Sequence, residues 1–149
     1  MSHTLPPEEA ITALARHTFP GGSYTIAHWE SVLLADCTGV PPLPDGMVHP
    51  IALFHVPFLG GGTSIAELFA LGRAESDLSI MIESYDWEFL VPLHEDVEYT
   101  ISGGITSAGR CRTEQGRVYD RIGFRFELAS GGETVARSEI TWHFTRNTL

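Results

Sequence analysis

The chain contains no lysine, so all nine of its basic residues are arginines, and nineteen acidic residues leave a formal net charge of −10. Sequence-independent nucleic-acid binding depends on basic side chains that neutralise phosphates, and so does adsorption to an anionic membrane surface. The shortage of positive charge therefore argues against both kinds of partner. An arginine-only set can indicate anion recognition, although GC-rich codon usage explains it more simply.

Cysteine is also scarce, with only Cys37 and Cys111, and these two do not form a metal-ligand spacing. None of the seven histidines belongs to an HxxxH or HExxH pattern. The first residues lack the basic and apolar regions of a signal peptide, and no apolar run is long enough to span a bilayer. We therefore expect a cytoplasmic protein with reduced thiols and no metal or separate cofactor.

The 149 residues, 43% of them hydrophobic, predict a single globular domain over 1–149 with a buried core. Two prolines and two glutamates at 6–9 are typical of a helix start, which makes 1–22 an N-terminal helical extension. A brief strand at 23–26 and a helix at about 27–37 follow.

From residue 49 onward, a long apolar segment is followed by segments in which apolar residues alternate with a period of two. Residues 49–71 are almost continuously apolar, which predicts a buried helix that Pro57 and the glycines at 60–62 bend or interrupt. Alternating β-branched and aromatic positions then predict four strands joined by short links, which indicates an antiparallel meander. The expected fold class is α+β, with a long buried central helix wrapped by a curved antiparallel sheet.

Two segments of the chain carry a family resemblance. These are YDWEFLVPLHEDVEYTISGGI and GRVYDRIGFRFELASGGETVARSEITWHFTR. The first resembles the strand–proline–turn–strand segment, and the second the last hairpin, of the MaoC-like hydratases and dehydratases of the hot-dog superfamily. The resemblance is strongest to the divergent branch found as the first half of double hot-dog hydratases, and it covers roughly residues 23–146. It implies the hot-dog fold and an acyl-thioester substrate, with coenzyme A or phosphopantetheine as part of that substrate.

The chain departs from the family at the catalytic motif. Active members carry Gly-Asp-x-Asn-Pro-x-His directly after the first helix, and the Asp and His activate the water that adds to an enoyl thioester. Here Gly39 is followed by Val40, and neither Asn nor His follows in register. The standard Asp/His pair is therefore missing from its standard place.

Asp45 and His49 are the candidate replacement for this pair, with His49 as the base and Asp45 as its orienting or acid partner. Hydration needs a base for water and an acid for the α-carbon, and an Asp/His couple can supply both near neutral pH. The alternative is that Asp45 forms a turn with Gly46 and His49 caps the following helix. Nearby His55 is typical of a core histidine with one satisfied ring nitrogen.

The apolar segment also predicts substrate contacts. We expect Ile51, Phe54 and Phe58 to line an acyl tunnel, and Gly61 and Gly62 to contact the substrate. The alternative for the glycines is close backbone packing against the sheet or a second protomer.

Arginines are concentrated between residues 110 and 125, and three of them, Arg110, Arg112 and Arg117, are candidates for holding the phosphates of the substrate. The alternative is a solvated hairpin in which arginines pair with acidic neighbours. Those neighbours are Glu114, Asp120 and Glu127.

Glu67 supports a weaker hypothesis, in which the protein is an acyl-CoA thioesterase. Hot-dog thioesterases of the PaaI-like group carry His-Gly-Gly near a helix start and a carboxylate two turns later. Here Leu59 stands in place of the histidine, and Glu67 lies about two residues short of the usual carboxylate spacing. On a helix, this difference rotates its side chain roughly 200° away from the expected face.

Three functions therefore remain open. The first is a MaoC-like acyl-thioester hydratase or dehydratase, and the second is a non-catalytic acyl-binding subunit of a heteromeric hot-dog hydratase. The third is an acyl-CoA thioesterase that uses Glu67. In each case we expect a homodimer, or a heterodimer with a second hot-dog protein, because an isolated sheet exposes its edges.

Overall fold

The computed structural model describes residues 4–146. Its helices are α1 (Glu8–Thr12), α2 (His28–Cys37), α3 (Ala52–Gly60) and α4 (Ile65–Leu71). Its strands are β1 (Gly22–Thr25), β2 (Ile80–Phe89), β3 (Glu98–Arg112), β4 (Val118–Ser130) and β5 (Glu133–Thr145). Short 3₁₀ turns occur at Ala13–Arg16, Pro44–Gly46 and Asp77–Ser79.

The five strands form one antiparallel sheet in the order β1-β3-β4-β5-β2. The expected meander is confirmed for β3, β4 and β5 but is wrong for β2, which pairs with β5 instead of β3. The link between β2 and β3 is not a hairpin, because these two strands do not pair with each other; it lies beside the segment that precedes α3. Leu93 there accepts a 2.8 Å hydrogen bond from the N–H of Val48, and His94 forms a bridge with Met47.

Alternation along β4 and β5 divides the sheet into two faces. Side chains at even positions are buried on the inner face, against the helices, while those at odd positions are more exposed on the outer face. The inner face carries Phe124, Phe126 and Phe144, each at most 1% exposed, and α3 adds Leu53 and Val56 to the same core. Burying each of these large side chains contributes roughly 1.5–3 kcal/mol.

The apolar segment at 49–71 forms two helices in place of one long helix, as its glycines suggested. Pro57 lies within α3, and the helix ends at Gly60. Gly62 has a φ of 71°, a conformation that favours glycine, and Ser64 then caps α4 by accepting a 3.1 Å hydrogen bond from the N–H of Glu67. The central helix is therefore the nine-residue α3.

The N-terminal extension is only partly helical. After α1 and its 3₁₀ turn, residues 17–19 run beside β3. The N–H of Phe19 donates to Gly103 at 2.9 Å, and that of Ile105 donates to His17 at 2.8 Å. Strand β1 continues this pairing toward the start of β3. The extension thus covers one edge of the sheet, while residues 1–3 lie outside the described residues.

Candidate functional site

An apolar cavity of about 310 Å³ lies between β1, α2 and α3, and we call it the α2–α3 cavity. It falls in the size range of small-molecule sites, which are mostly apolar with a few convergent polar groups. Ten of its lining residues are apolar, Ile26, Trp29, Leu33, Leu34, Ala52, Phe54, Val56, Phe58, Leu59 and Ile65, and three carry polar groups, Tyr24, Glu30 and His55.

Helical spacing explains why these side chains converge. Phe54 and Phe58 are four residues apart and so share one face of α3. Phe54 packs against the ring of Tyr85 at 5.4 Å between ring centroids, and Phe58 packs edge-on against Phe126 at 5.4 Å. The floor of the cavity is therefore held by the inner face of the sheet.

The rim of the cavity is exposed. Trp29 is 64% exposed on α2, and Leu59 is 58% exposed on α3. His55 is also exposed, with its ring edge-on to Phe54 at 5.1 Å. The expectation of a buried core histidine is therefore wrong, because the α3 face that carries His55 points away from the sheet.

The predicted tunnel residues divide into two groups. Phe54 and Phe58 line the α2–α3 cavity, whereas Ile51 is half-buried immediately before α3 and Gly62 lines a different cavity. A Cβ on Gly61 would lie 3.2 Å from Cγ2 of Ile101 on β3 and 3.5 Å from Cε1 of Phe126 on β4. These distances support the packing alternative for Gly61, while substrate contact by either glycine stays a prediction.

Tyr24 and Glu30 form a hydrogen-bonded pair on the wall of the cavity that sequence reasoning missed. The Tyr24 hydroxyl donates to Oε1 of Glu30, and the N–H of Ala27 donates to Oε2 at 2.7 Å. The hydrogen bond to Glu30, then burial and the negative charge, raise the pKa of Tyr24 to about 12. The available signal was a glutamate at the third position of α2, which is typical of an N-terminal cap.

Asp45 and His49 are not joined. Across residues 4–146, no hydrogen bond or ion pair connects them. Asp45 is exposed in a 3₁₀ turn with a φ of 58°, and Nδ1 of His49 accepts a 3.1 Å hydrogen bond from the N–H of Ile51. This geometry matches the alternative of a turn followed by a helix-start histidine, and the catalytic role stays a prediction.

The hydrogen bond to His49 also fixes the tautomer of its ring. When Nδ1 of a neutral imidazole accepts a hydrogen bond, the ring hydrogen resides on Nε2. Nε2 of His49 is then a donor and cannot take a proton from water until the contact with Ile51 is broken.

The arginine-rich hairpin is largely engaged in ion pairs. Arg110 donates to both carboxylate oxygens of Asp120, at 2.8 and 3.1 Å, and Arg125 pairs with Glu127 at 3.0 Å. The expected acidic partners Asp120 and Glu127 are thus found for these two arginines, but the pair with Asp120 is buried instead of solvated, and Arg110 is not a free anion ligand.

Arg112 and Arg117 are exposed at the far end of the hairpin. Tyr24 pairs with Tyr99 on β3, and Arg112 follows thirteen residues later on the same strand. At the rise of an extended strand this separation is at most about 40 Å. Neither arginine lines the α2–α3 cavity, and the phosphate role of this end of the hairpin stays a prediction.

Glu67 lies in the first turn of α4, where it is exposed. It lines a second cavity of about 500 Å³ together with His17 and Gly62. Because Phe54 and Phe58 line the α2–α3 cavity, the carboxylate and the predicted tunnel residues lie in different cavities.

Within residues 4–146, no group of three or more His, Cys, Asp or Glu side chains is arranged to hold a metal ion. In the same part of the chain, no helix combines the length and hydropathy needed to cross a membrane.

Comparison with known proteins gives structural matches only, since no family model and no curated protein sequence matches the chain. The ChsH1–ChsH2 complex from Mycobacterium tuberculosis is similar with a TM-score of 0.67 and 13% identity, over 95% of this chain and 92% of that chain. The HadBC (3R-hydroxyacyl-ACP dehydratase) complex from Mycobacterium tuberculosis has a TM-score of 0.63 and 11% identity, over 85% and 93%.

A MaoC-like dehydratase from Phytophthora capsici has a TM-score of 0.64 and 12% identity. The match covers 97% of this chain but only 51% of that protein. Structures described as thioesterases are also similar. At such low identity these matches establish the fold without the reaction. With five antiparallel strands packed on a central helix, the chain has the hot-dog fold shared by these dehydratases and thioesterases.

Proposed function

We propose that this protein is the acyl-binding subunit of a MaoC-like acyl-thioester hydratase or dehydratase, and that a second hot-dog chain supplies the catalytic Asp/His pair. The observation that carries the proposal is an apolar α2–α3 cavity in a chain whose own candidate pair, Asp45 and His49, is not joined. A site that binds an acyl chain without activating water suits a subunit better than an autonomous hydratase.

The cavity supports the acyl-binding part of the proposal. Each methylene that moves from water into an apolar site contributes about 0.8 kcal/mol, so a medium-length acyl chain gains several kcal/mol there. Phe54 and Phe58 provide this apolar surface, and their contacts with Tyr85 and Phe126 hold them in place.

Two exposed apolar surfaces support the proposal that a second hot-dog chain binds this protein. One is the cavity rim with Trp29 and Leu59, and the other is the edge formed by β2 and the turn before it. On that edge Leu78 is 93% exposed, Met81 58% and Ile82 63%. An unpaired strand edge with apolar side chains is a site for strand pairing, and the ChsH1–ChsH2 and HadBC structures are both complexes.

A second candidate is a self-sufficient hydratase with His49 as base and Asp45 as its partner. It is favoured by the position of His49, half-buried three residues before the start of α3 and four residues after Asp45. This candidate requires His49 to release the N–H of Ile51 and Asp45 to turn toward it.

Turnover by the purified chain tests both candidates. We expect the chain alone to bind trans-2-octenoyl-CoA in calorimetry but not to hydrate it. Hydration should appear when a hot-dog chain carrying an intact Gly-Asp-x-Asn-Pro-x-His motif is added, and His49→Ala should leave that activity unchanged. Hydration by the chain alone, lowered roughly 10²–10⁴-fold by His49→Ala, would establish the second candidate.

Truncation of the cavity floor tests the binding site itself. Phe54→Ala should weaken octenoyl-CoA binding about tenfold or more, because the half-buried Phe54 side chain would be covered by the acyl chain and full burial of such a side chain contributes roughly 1.5–3 kcal/mol. Leu90→Ala removes a half-exposed apolar side chain outside the cavity and should leave the affinity unchanged. Equal affinities of the two variants would place the acyl chain elsewhere.

A further inference from the structure

The Tyr24–Glu30 pair gives the wall of the α2–α3 cavity a fixed hydrogen-bonding direction. The single hydrogen of the Tyr24 hydroxyl is donated to Oε1 of Glu30, so the phenol oxygen keeps only acceptor capacity. Oε2 of Glu30 is held at 2.7 Å by the N–H of Ala27, and an ionised carboxylate is likewise an acceptor. At this position the wall therefore offers acceptors and no donor.

The surroundings keep the pair in this state. Both of its hydrogen bonds are partly buried, and Glu30 is anchored to the backbone at the start of α2. The pKa of Tyr24 is raised to about 12, so the phenol stays protonated across physiological pH.

We propose that Tyr24 is a specificity-determining residue that accepts a hydrogen bond from a hydroxyl group on the acyl chain, so that the cavity selects hydroxyacyl thioesters over oxoacyl thioesters. This inference rests on the proposed acyl-binding function. An oxo group at the same carbon would bring a carbonyl oxygen against the phenol oxygen with no hydrogen between them. Burying two unpaired acceptors costs free energy, which is why sites with a fixed polarity discriminate strongly.

The test compares hydroxyoctanoyl-CoA esters that differ in hydroxyl position, each with the oxo ester of the same position, by calorimetry. At one position or more, we expect the hydroxy ester to bind roughly three- to tenfold more tightly than its oxo analogue, the usual value of one neutral hydrogen bond. Tyr24→Phe should abolish this preference while unsubstituted octanoyl-CoA still binds. Thr25→Val, on the exposed neighbour of Tyr24 in β1, is the matched control and should keep the preference.

Glu30→Gln provides a second and opposite signature. The glutamine carbonyl can still accept from the N–H of Ala27, and its amide then donates to the oxygen of Tyr24. The Tyr24 hydrogen is thereby released toward the cavity, so the variant should prefer the oxo ester.

The outcomes separate this inference from the function on which it rests. Binding of acyl-CoA esters without any hydroxy preference, or a preference that survives Tyr24→Phe, would overturn the role of Tyr24 alone. Failure of every ester, including octanoyl-CoA, to bind the folded wild-type chain would overturn the proposed function and this inference together.

Discussion

Adjacent residues on β4, Asp120 and Arg121, belong to two ionic clusters on opposite faces of the sheet. In the inner cluster, Asp120 is completely buried and accepts hydrogen bonds from Arg110 and Arg146, with 2.8 Å to the Nε of each arginine. In the outer cluster, Glu83 accepts two 2.7 Å hydrogen bonds from Arg121 and one of 2.6 Å from His143. Each cluster thus consists of one carboxylate between two basic side chains.

The inner cluster also connects separate segments of the chain. Arg146 donates to the carbonyl oxygens of Gly72 and Arg73 after α4, and Arg110 donates to that of Pro6. The outer cluster lies at the surface, where water and salt weaken each attraction. We therefore expect burial, more than composition, to decide how much each ion pair contributes to the stability of this protein.

Asp120→Ala should produce the largest effect. Removing one partner of a buried ion pair leaves uncompensated charge inside the protein and typically costs about 3–5 kcal/mol. We expect a loss of this size in the free energy of unfolding, measured with urea. Glu83→Ala is the matched control on the outer face and should cost far less. Equal losses in the two variants would contradict the contrast between the clusters.

Arg146→Met should have the next largest effect. The variant loses the bonds to Asp120, Gly72 and Arg73, but Asp120 keeps its pair with Arg110 and no buried charge is left without a partner, so we expect a smaller loss in the free energy of unfolding than for Asp120→Ala. Amide hydrogen exchange should accelerate in α4 before it does in β4. Arg137→Met, which disrupts only partly exposed pairs, should leave exchange in α4 unchanged.

Acid should weaken the outer cluster in a defined pH window. Hydrogen bonds from Arg121 and then His143 lower the pKa of Glu83 from 4.5 to about 2. Because the folded-state pKa is depressed, the stabilisation is fully present above about pH 4.5 and is lost as the pH falls toward 2. Urea midpoints of wild type and Glu83→Gln should therefore differ near neutral pH and converge near pH 2. A constant difference across this window would show that Glu83 does not titrate as described.

The smallest effect is expected at the exposed end of the hairpin. Arg112→Ala and Arg117→Ala should each change stability by less than about 0.5 kcal/mol, as is usual for surface substitutions. Affinity for octenoyl-CoA should also stay unchanged, because neither residue lines the α2–α3 cavity. A salt-sensitive loss of affinity in either variant would instead support the phosphate role.

Much of the local structure could be predicted from the sequence. The period of two in β4 and β5 correctly separates inner from outer positions, and the glycines at 60–62 correctly indicate the break between α3 and α4. Helix α2 and the two tight hairpins of the meander follow from their turn residues. These features depend on neighbouring residues alone, which is why pattern and composition were sufficient.

The long-range arrangement was decided by the tertiary structure. Nothing in the sequence pattern pairs β2 with β5, brings Arg146 to Asp120, or sets Tyr24 against Glu30 in a cavity. Asp45 and His49 are only four positions apart in the sequence, yet they do not pair. Asp45 lies in a turn with a left-handed backbone conformation, and His49 accepts a hydrogen bond from the backbone instead. The sequence by itself determined the elements and their faces, since period and turn chemistry are local. Strand order, burial of individual charges and the contents of the cavity depend on contacts between distant segments, which form only when the whole core packs.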